Sequence, residues 1–199
     1  MHVESRISDF LEAVAAKKPT PGGGSVSALV GALGASLGVM TARYSDDSEA
    51  ERDLEAVKAA LLPLVDQDAE AYGLVASAMS LPKDSDETKR RRKAALQNAF
   101  GEAAEVPLQA MRHGVQGLEA LARLAPRCNK HLTSDLFGSA LFLASAVEGC
   151  GENVAVNAAS LADKEQRSRL EDERGRLVAQ AQRLRSDVVR SIEAAAAGK

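Results

Sequence analysis

The chain has 199 residues, with 25 Lys and Arg against 28 Asp and Glu, a formal net charge of −3, 27% charged and 45% hydrophobic residues. That is the balance of one globular domain with a real core, and the mild acidity excludes a general nucleic-acid binder, which needs a positive field against phosphates. Aromatics reach only 3% and Trp is absent; Ala and Leu dominate, which favours close-packed helices over β-sandwiches.

Val3 to Ala16 reads as a short amphipathic helix, because Ile7, Phe10, Leu11 and Val14 recur at helical spacing. The first ten residues carry charges and lack an apolar run, so no secretory signal is expected. Lys17-Lys18-Pro19 stops the helix. From Pro19 to Ala42 no residue is charged, and Gly22, Gly23 and Gly24 stand in a row. A helix from Gly24 or Ser25 to about Tyr44 follows, and its lack of a polar face predicts burial all round. It is long enough to span a bilayer. Its Gly, Ala and Ser gain little in lipid, however, so a core helix with no membrane partner is expected. Gly34 and Gly38 form a GxxxG pair that lets helices approach closely. Nucleotide loops do not fit. No Lys follows the glycines, Ser27 stands where the dinucleotide fingerprint needs Gly, and no strand precedes. What remains is either a plain turn or free N–H groups at a helix start, which attract anions or carbonyl oxygens.

Asp46 to about Ser80 reads as a third helix. Asp68 falls in line with Leu61, Leu64, Val65, Tyr72 and Val75, on the apolar stripe, while Asp66 lies nearer its edge. A carboxylate on that stripe loses hydration, so its pKa is expected to rise unless it is paired. It is either a structural acceptor or a functional acid/base. Leu81 to Asp86 is a connector. Glu87 to Leu124 is helical again, with a kink expected at Pro107. Its basic run, Lys89 to Lys93, is either a solvated helix start or a landing site for a polyanionic tail.

Ala125 to His131 is a loop, after which Thr133 or Ser134 is expected to cap an apolar helix through Leu161. Leu143, Ala146, Cys150, Asn153, Asn157 and Leu161 share one face of it. The two asparagines either hold a polar heterocycle or satisfy neighbouring backbone. Asp135 in the first turn suits the helix dipole. Ala162 to Ala197 is heavily charged and reads as a solvated or partner-facing helix. Cys128 and Cys150 have no metal spacing and are expected to be reduced thiols of a cytoplasmic protein. His2, His113 and His131 share no ligand spacing, so no metal site is expected. With no strand pattern, repeat or linker, residues 1–199 read as a single all-α domain, a bundle of long helices around a buried small-residue helix.

Taken in order, these pieces resemble the C-terminal domain of the formiminotransferase-cyclodeaminase family, which includes standalone methenyltetrahydrofolate cyclohydrolases. The resemblance rests on Pro19-Thr20-Pro21-Gly22-Gly23-Gly24-Ser25, Asp66-x-Asp68-Ala69-x-Ala71-Tyr72, Leu81-Pro82-Lys83, Ala103-Ala104-Glu105-Val106-Pro107-Leu108, Ser134-Asp135, and Asn153-Val154-x-Val156-Asn157. It covers roughly Ile7 to Leu161. The loop Asn129-Lys130-His131-Leu132-Thr133 departs from the family's usual Asn-Pro-Asn-Ala-Val. The resemblance implies an all-helical homodimer or larger homo-oligomer acting on tetrahydrofolate derivatives, with no separate cofactor or metal. Two reactions are implied: hydrolysis of 5,10-methenyl-tetrahydrofolate to 10-formyl-tetrahydrofolate, or cyclodeamination of 5-formimino-tetrahydrofolate with release of ammonia. A non-catalytic folate-binding module is the third reading. The standalone length leans towards the hydrolase. Asp68 is expected as base and Lys83 as proton relay. Pro21, Gly22, Gly23, Gly24, Ser25, Asp66, Ser134, Asp135, Asn153 and Asn157 are expected to bind substrate.

Overall fold

The structure is a computed structural model that describes residues 1–197. Its helices are α1 (Ile7–Ala15), α2 (Gly23–Arg43), α3 (Ser48–Met79), α4 (Asp86–Leu124), α5 (Thr133–Ala159) and α6 (Lys164–Ala197), with two short 3₁₀ turns between α4 and α5. Among the described residues there is no strand. The all-α bundle read from the sequence is therefore the observed fold.

Side-chain caps set the starts of α3 and α4. The side chain of Asp47 accepts from the N–H of Ala50 at 3.0 Å to cap α3. Ser85 and Thr88 satisfy each other's backbone N–H groups in a capping box that starts α4. The expected cap by Thr133 or Ser134 is absent: Leu132 occupies that position and no side chain caps α5. Asn129 instead turns its oxygen to the N–H of His131 one turn earlier, within the 3₁₀ segment.

α2 lies between α3 and α5, α4 packs on α3 and α5, and α6 closes the far side against α4 and α5. Small residues make this possible. A Cβ on Gly34 would stand 3.0 Å from Cβ of Phe142, and one on Gly114 would stand 2.6 Å from Cγ2 of Val147. These helices thus approach to backbone distance where they cross.

Two apolar faces differ from expectation. α2 is not buried all round: Leu33 is 56% exposed, and Val26, Val30, Leu37 and Met40 are only partly covered. Lack of charge reflects two surfaces, one against α3 and α5 and one facing outward. α2 is long and apolar enough to cross a membrane, and just over half of it is buried inside the bundle. On α1 only Phe10 is buried, while Ile7 and Leu11 project outward. α6 is less solvated than its charge suggests, because a narrow stripe of Leu170, Ala181, Leu184 and Val188 is buried against α4 and α5.

Candidate active site

The first turn of α2 meets the middle of α3 at Asp68. One carboxylate oxygen, Oδ2, accepts from the Ser25 N–H at 2.7 Å and from the Ser25 hydroxyl at 2.9 Å. The positive end of the α2 dipole faces the same group. Gly24 passes so close that a Cβ there would sit 2.0 Å from Oδ1 of Asp68. This explains a glycine at that position: nothing larger fits between helix start and carboxylate. Burial raises the Asp68 pKa above its ordinary value, and the two Ser25 bonds oppose that rise. Beneath it, Cys150 is fully buried, and burial together with the Asp68 charge pushes its thiol up to about 12.

Asp68 opens into a cleft of about 160 Å³ that it lines with Gly22, Gly23, Tyr72, Asn153 and Asn157. Asn153 donates its Nδ2 to the Gly149 carbonyl at 2.9 Å. Asn157 donates its Nδ2 to two carbonyls, Ala103 on α4 and Asn153 on α5, each at 2.9 Å. With those hydrogens committed to backbone, the amide Oδ1 atoms and Oδ1 of Asp68 remain as acceptors, beside Thr20 and Tyr72, whose hydroxyls can donate or accept. Such a wall favours cationic or N–H-rich ligands. The cleft is smaller than the few hundred Å³ of a whole-ligand pocket, a size that suits one end of a larger molecule.

The expected site residues therefore divide. Gly22, Gly23, Gly24, Ser25, Asp68, Asn153 and Asn157 converge, and Pro21 is buried just before the glycines, after a cis Thr20–Pro21 bond. Asp66 points elsewhere. It is more buried than Asp68, not edge-exposed, and accepts the backbone N–H of His2 from the N-terminal arm. Lys83 is exposed and lines a separate hollow of about 380 Å³ with Lys89, Arg92, Lys93, Leu96 and Phe100. Ser134 and Asp135 stand at the opposite end of α5 from Asn153, about 27 Å away at a helical rise of about 1.5 Å per residue. Pro19, Thr20, Tyr72 and Ala103 line the cleft without having been singled out as binding residues. Their signal was membership of the same motifs. Larger surface hollows exist, including one of about 760 Å³ beside Glu102, Glu105 and Asp163. Among the described residues no three His, Cys, Asp or Glu side chains are grouped as metal ligands.

The sequence profile of the formiminotransferase-cyclodeaminase family matches residues 6–176. The chain is 32% identical over 169 residues to a methenyltetrahydrofolate cyclohydrolase of Methylorubrum extorquens, covering 79% of this chain and 81% of that one. It is 35% identical over 172 residues to the formimidoyltransferase-cyclodeaminase of Rattus norvegicus, covering 81% of this chain but only 32% of that longer protein. A crystal structure of a formiminotetrahydrofolate cyclodeaminase from Thermotoga maritima superposes with a TM-score of 0.84 at 28% identity, covering 97% of this chain and 98% of that one. Profile, relatives and fold agree over the same helices that build the Asp68 cleft, and the chain belongs to the formiminotransferase-cyclodeaminase family.

Proposed function

We propose that the protein is a methenyltetrahydrofolate cyclohydrolase. The observation that carries this is the half-buried Asp68 carboxylate, anchored by Ser25 through Oδ2 and lining a cleft together with the Asn153 and Asn157 amides. The methenyl bridge is a cationic amidinium carbon. Asp68 stabilises that charge and takes a proton from the attacking water. Water adds to the bridge carbon, the C–N5 bond then breaks, and N5 gains a proton. One proton is released overall and 10-formyl-tetrahydrofolate leaves. Methylorubrum extorquens supplies the relative named for this activity. No proton relay is assigned to Lys83, whose side chain lines another hollow.

A cyclodeaminase reading is favoured by the names of the rat relative and the Thermotoga structure. There N10 attacks the formimino carbon, ammonia leaves, and the same cationic bridge is formed, so the same wall serves. Monitoring the absorbance of 5,10-methenyl-tetrahydrofolate separates the two. Accelerated decay supports the hydrolase, accelerated formation from 5-formimino-tetrahydrofolate with ammonia release supports the deaminase, and control rates in both would reduce the protein to a binding module.

The protein works as a cytoplasmic homodimer in this reading. The uncharged outer row of α2 and the exposed Phe137 and Phe142 on α5 support such an interface. An antiparallel pairing of two α5 helices would set the Ser134–Asp135 end of one copy beside the Asn153–Asn157 end of the other. Such a pairing gives Ser134 and Asp135 a place at the cleft that a single chain does not.

A further inference from the structure

Two prolines sit inside long helices, and each withholds one N–H from the carbonyl four residues earlier. Pro63 frees the carbonyl of Ala59, an exposed residue, which water can satisfy. Pro107 is buried, and so is Ala103, whose carbonyl it frees. A buried carbonyl without a partner is costly. Here the partner is Asn157: its Nδ2 donates to the Ala103 carbonyl at 2.9 Å, reaching from α5 to α4. The second Nδ2 hydrogen goes to the Asn153 carbonyl, also at 2.9 Å. Both donors are consumed, and the reverse orientation would set Oδ1 against two carbonyl oxygens. Oδ1 is therefore left as an acceptor in the wall of the Asp68 cleft.

We propose that Pro107 is a positioning residue for the active site: by freeing the Ala103 carbonyl it locks the Asn157 amide with its oxygen towards the substrate, so that Asn157 reads an N–H of the bound heterocycle. The inference rests on the folate reading of the cleft for its ligand, although the orientation of Asn157 is a property of the empty protein. It gives the Ala103–Leu108 segment and the Asn153–Asn157 segment one shared purpose. A proline that weakens the middle of α4 is retained because it directs a side chain on α5.

The test is Pro107→Ala, alone and with Asn157→Ala. Restoring the N–H at position 107 returns a helical partner to the Ala103 carbonyl and releases Asn157. Four readouts separate positioning from general structural damage. The thermal midpoint of Pro107→Ala is expected to hold or rise, because a helix interior disfavours Pro. Its KM for 5,10-methenyl-tetrahydrofolate is expected to rise on the order of fivefold, the scale of one hydrogen bond. Adding Asn157→Ala to it should then cost less than Asn157→Ala costs in the wild-type background. In amide NMR, the slowly exchanging side-chain NH₂ of Asn157 should lose protection in Pro107→Ala. Unchanged KM and unchanged NH₂ protection would overturn the inference, as would strictly additive effects of the two substitutions. A fall in midpoint that accounts for the lost activity would overturn it too. Wild-type protein that turns over neither folate would refute the folate reading, while loss of NH₂ protection in Pro107→Ala would still establish the lock.

Discussion

Gly24→Ala is the smallest change that should disable the site. The added methyl would lie 2.0 Å from Oδ1, 2.5 Å from Cγ and 2.8 Å from Oδ2 of Asp68. Ordinary contact begins near 3.4 Å, so the carboxylate or the start of α2 must retreat by roughly 1.4 Å. The atoms in the way are a short, anchored side chain, not the free end of a long one. A retreat of that size breaks the 2.7 and 2.9 Å bonds from Ser25. Bonds to a charged acceptor are worth about 1.5–3 kcal/mol each, and the helix-propensity gain of Gly→Ala returns at most about 1 kcal/mol. The net loss should be about 2–5 kcal/mol, read as a shift in urea midpoint. A displacement of about 1 Å at a reacting group should lower kcat/KM on the order of 10²-fold. Gly73→Ala and Gly175→Ala are the controls. Nothing stands within 4 Å of either new methyl, so both should be neutral or stabilising by up to about 1 kcal/mol with activity retained. Asp68→Ala should relieve the clash, making the Gly24→Ala/Asp68→Ala double variant more stable than Gly24→Ala alone. Full stability and turnover in Gly24→Ala would show that Asp68 is not held as described.

The raised Asp68 pKa gives a signed pH effect. The base must be ionised, so kcat/KM should rise with pH through a value above the ordinary 3.8. Ser25→Ala deletes a bond that favours the ionised form, so the acid limb should move to still higher pH; a downward move would contradict the assignment. For assembly, Leu33→Glu with Phe142→Glu should convert a dimer to a monomer in sedimentation experiments, and an unaltered sedimentation coefficient would place the interface elsewhere. The hollow at Lys83, Lys89, Arg92 and Lys93 shares an α4 stripe with the cleft, since Phe100 precedes Ala103 by one turn. A polyglutamylated substrate should therefore show a lower KM than the monoglutamate, more so at low salt; equal constants would leave the basic run as a solvated helix start.

Much of this architecture was legible because helices write their burial into a 3.6-residue period. Asp68 declared itself by standing on an apolar stripe, and its desolvation followed. Asp66 misled because its partner is the backbone of His2, 64 residues away on an arm whose path no periodicity records. Lys83 stands close to α3 in sequence, but the turn at Leu81 to Ser85 carries it to a different hollow. Ser134 and Asp135 share a helix with Asn153, and only the length of α5 shows how far apart they lie. The outer face of α2 was hidden by its chemistry: an exposed apolar surface carries the same residues as a core. The Asn157 lock could be read only once α4 and α5 were side by side.

The most direct test of the account is the decay of 5,10-methenyl-tetrahydrofolate absorbance with wild-type protein and with Asp68→Asn, at equal fold content by circular dichroism. The account predicts accelerated decay with wild type and a loss on the order of 10²–10⁴-fold in Asp68→Asn. Wild-type turnover that survives Asp68→Asn unchanged would contradict it, because the cleft would then be working without the carboxylate around which it is built.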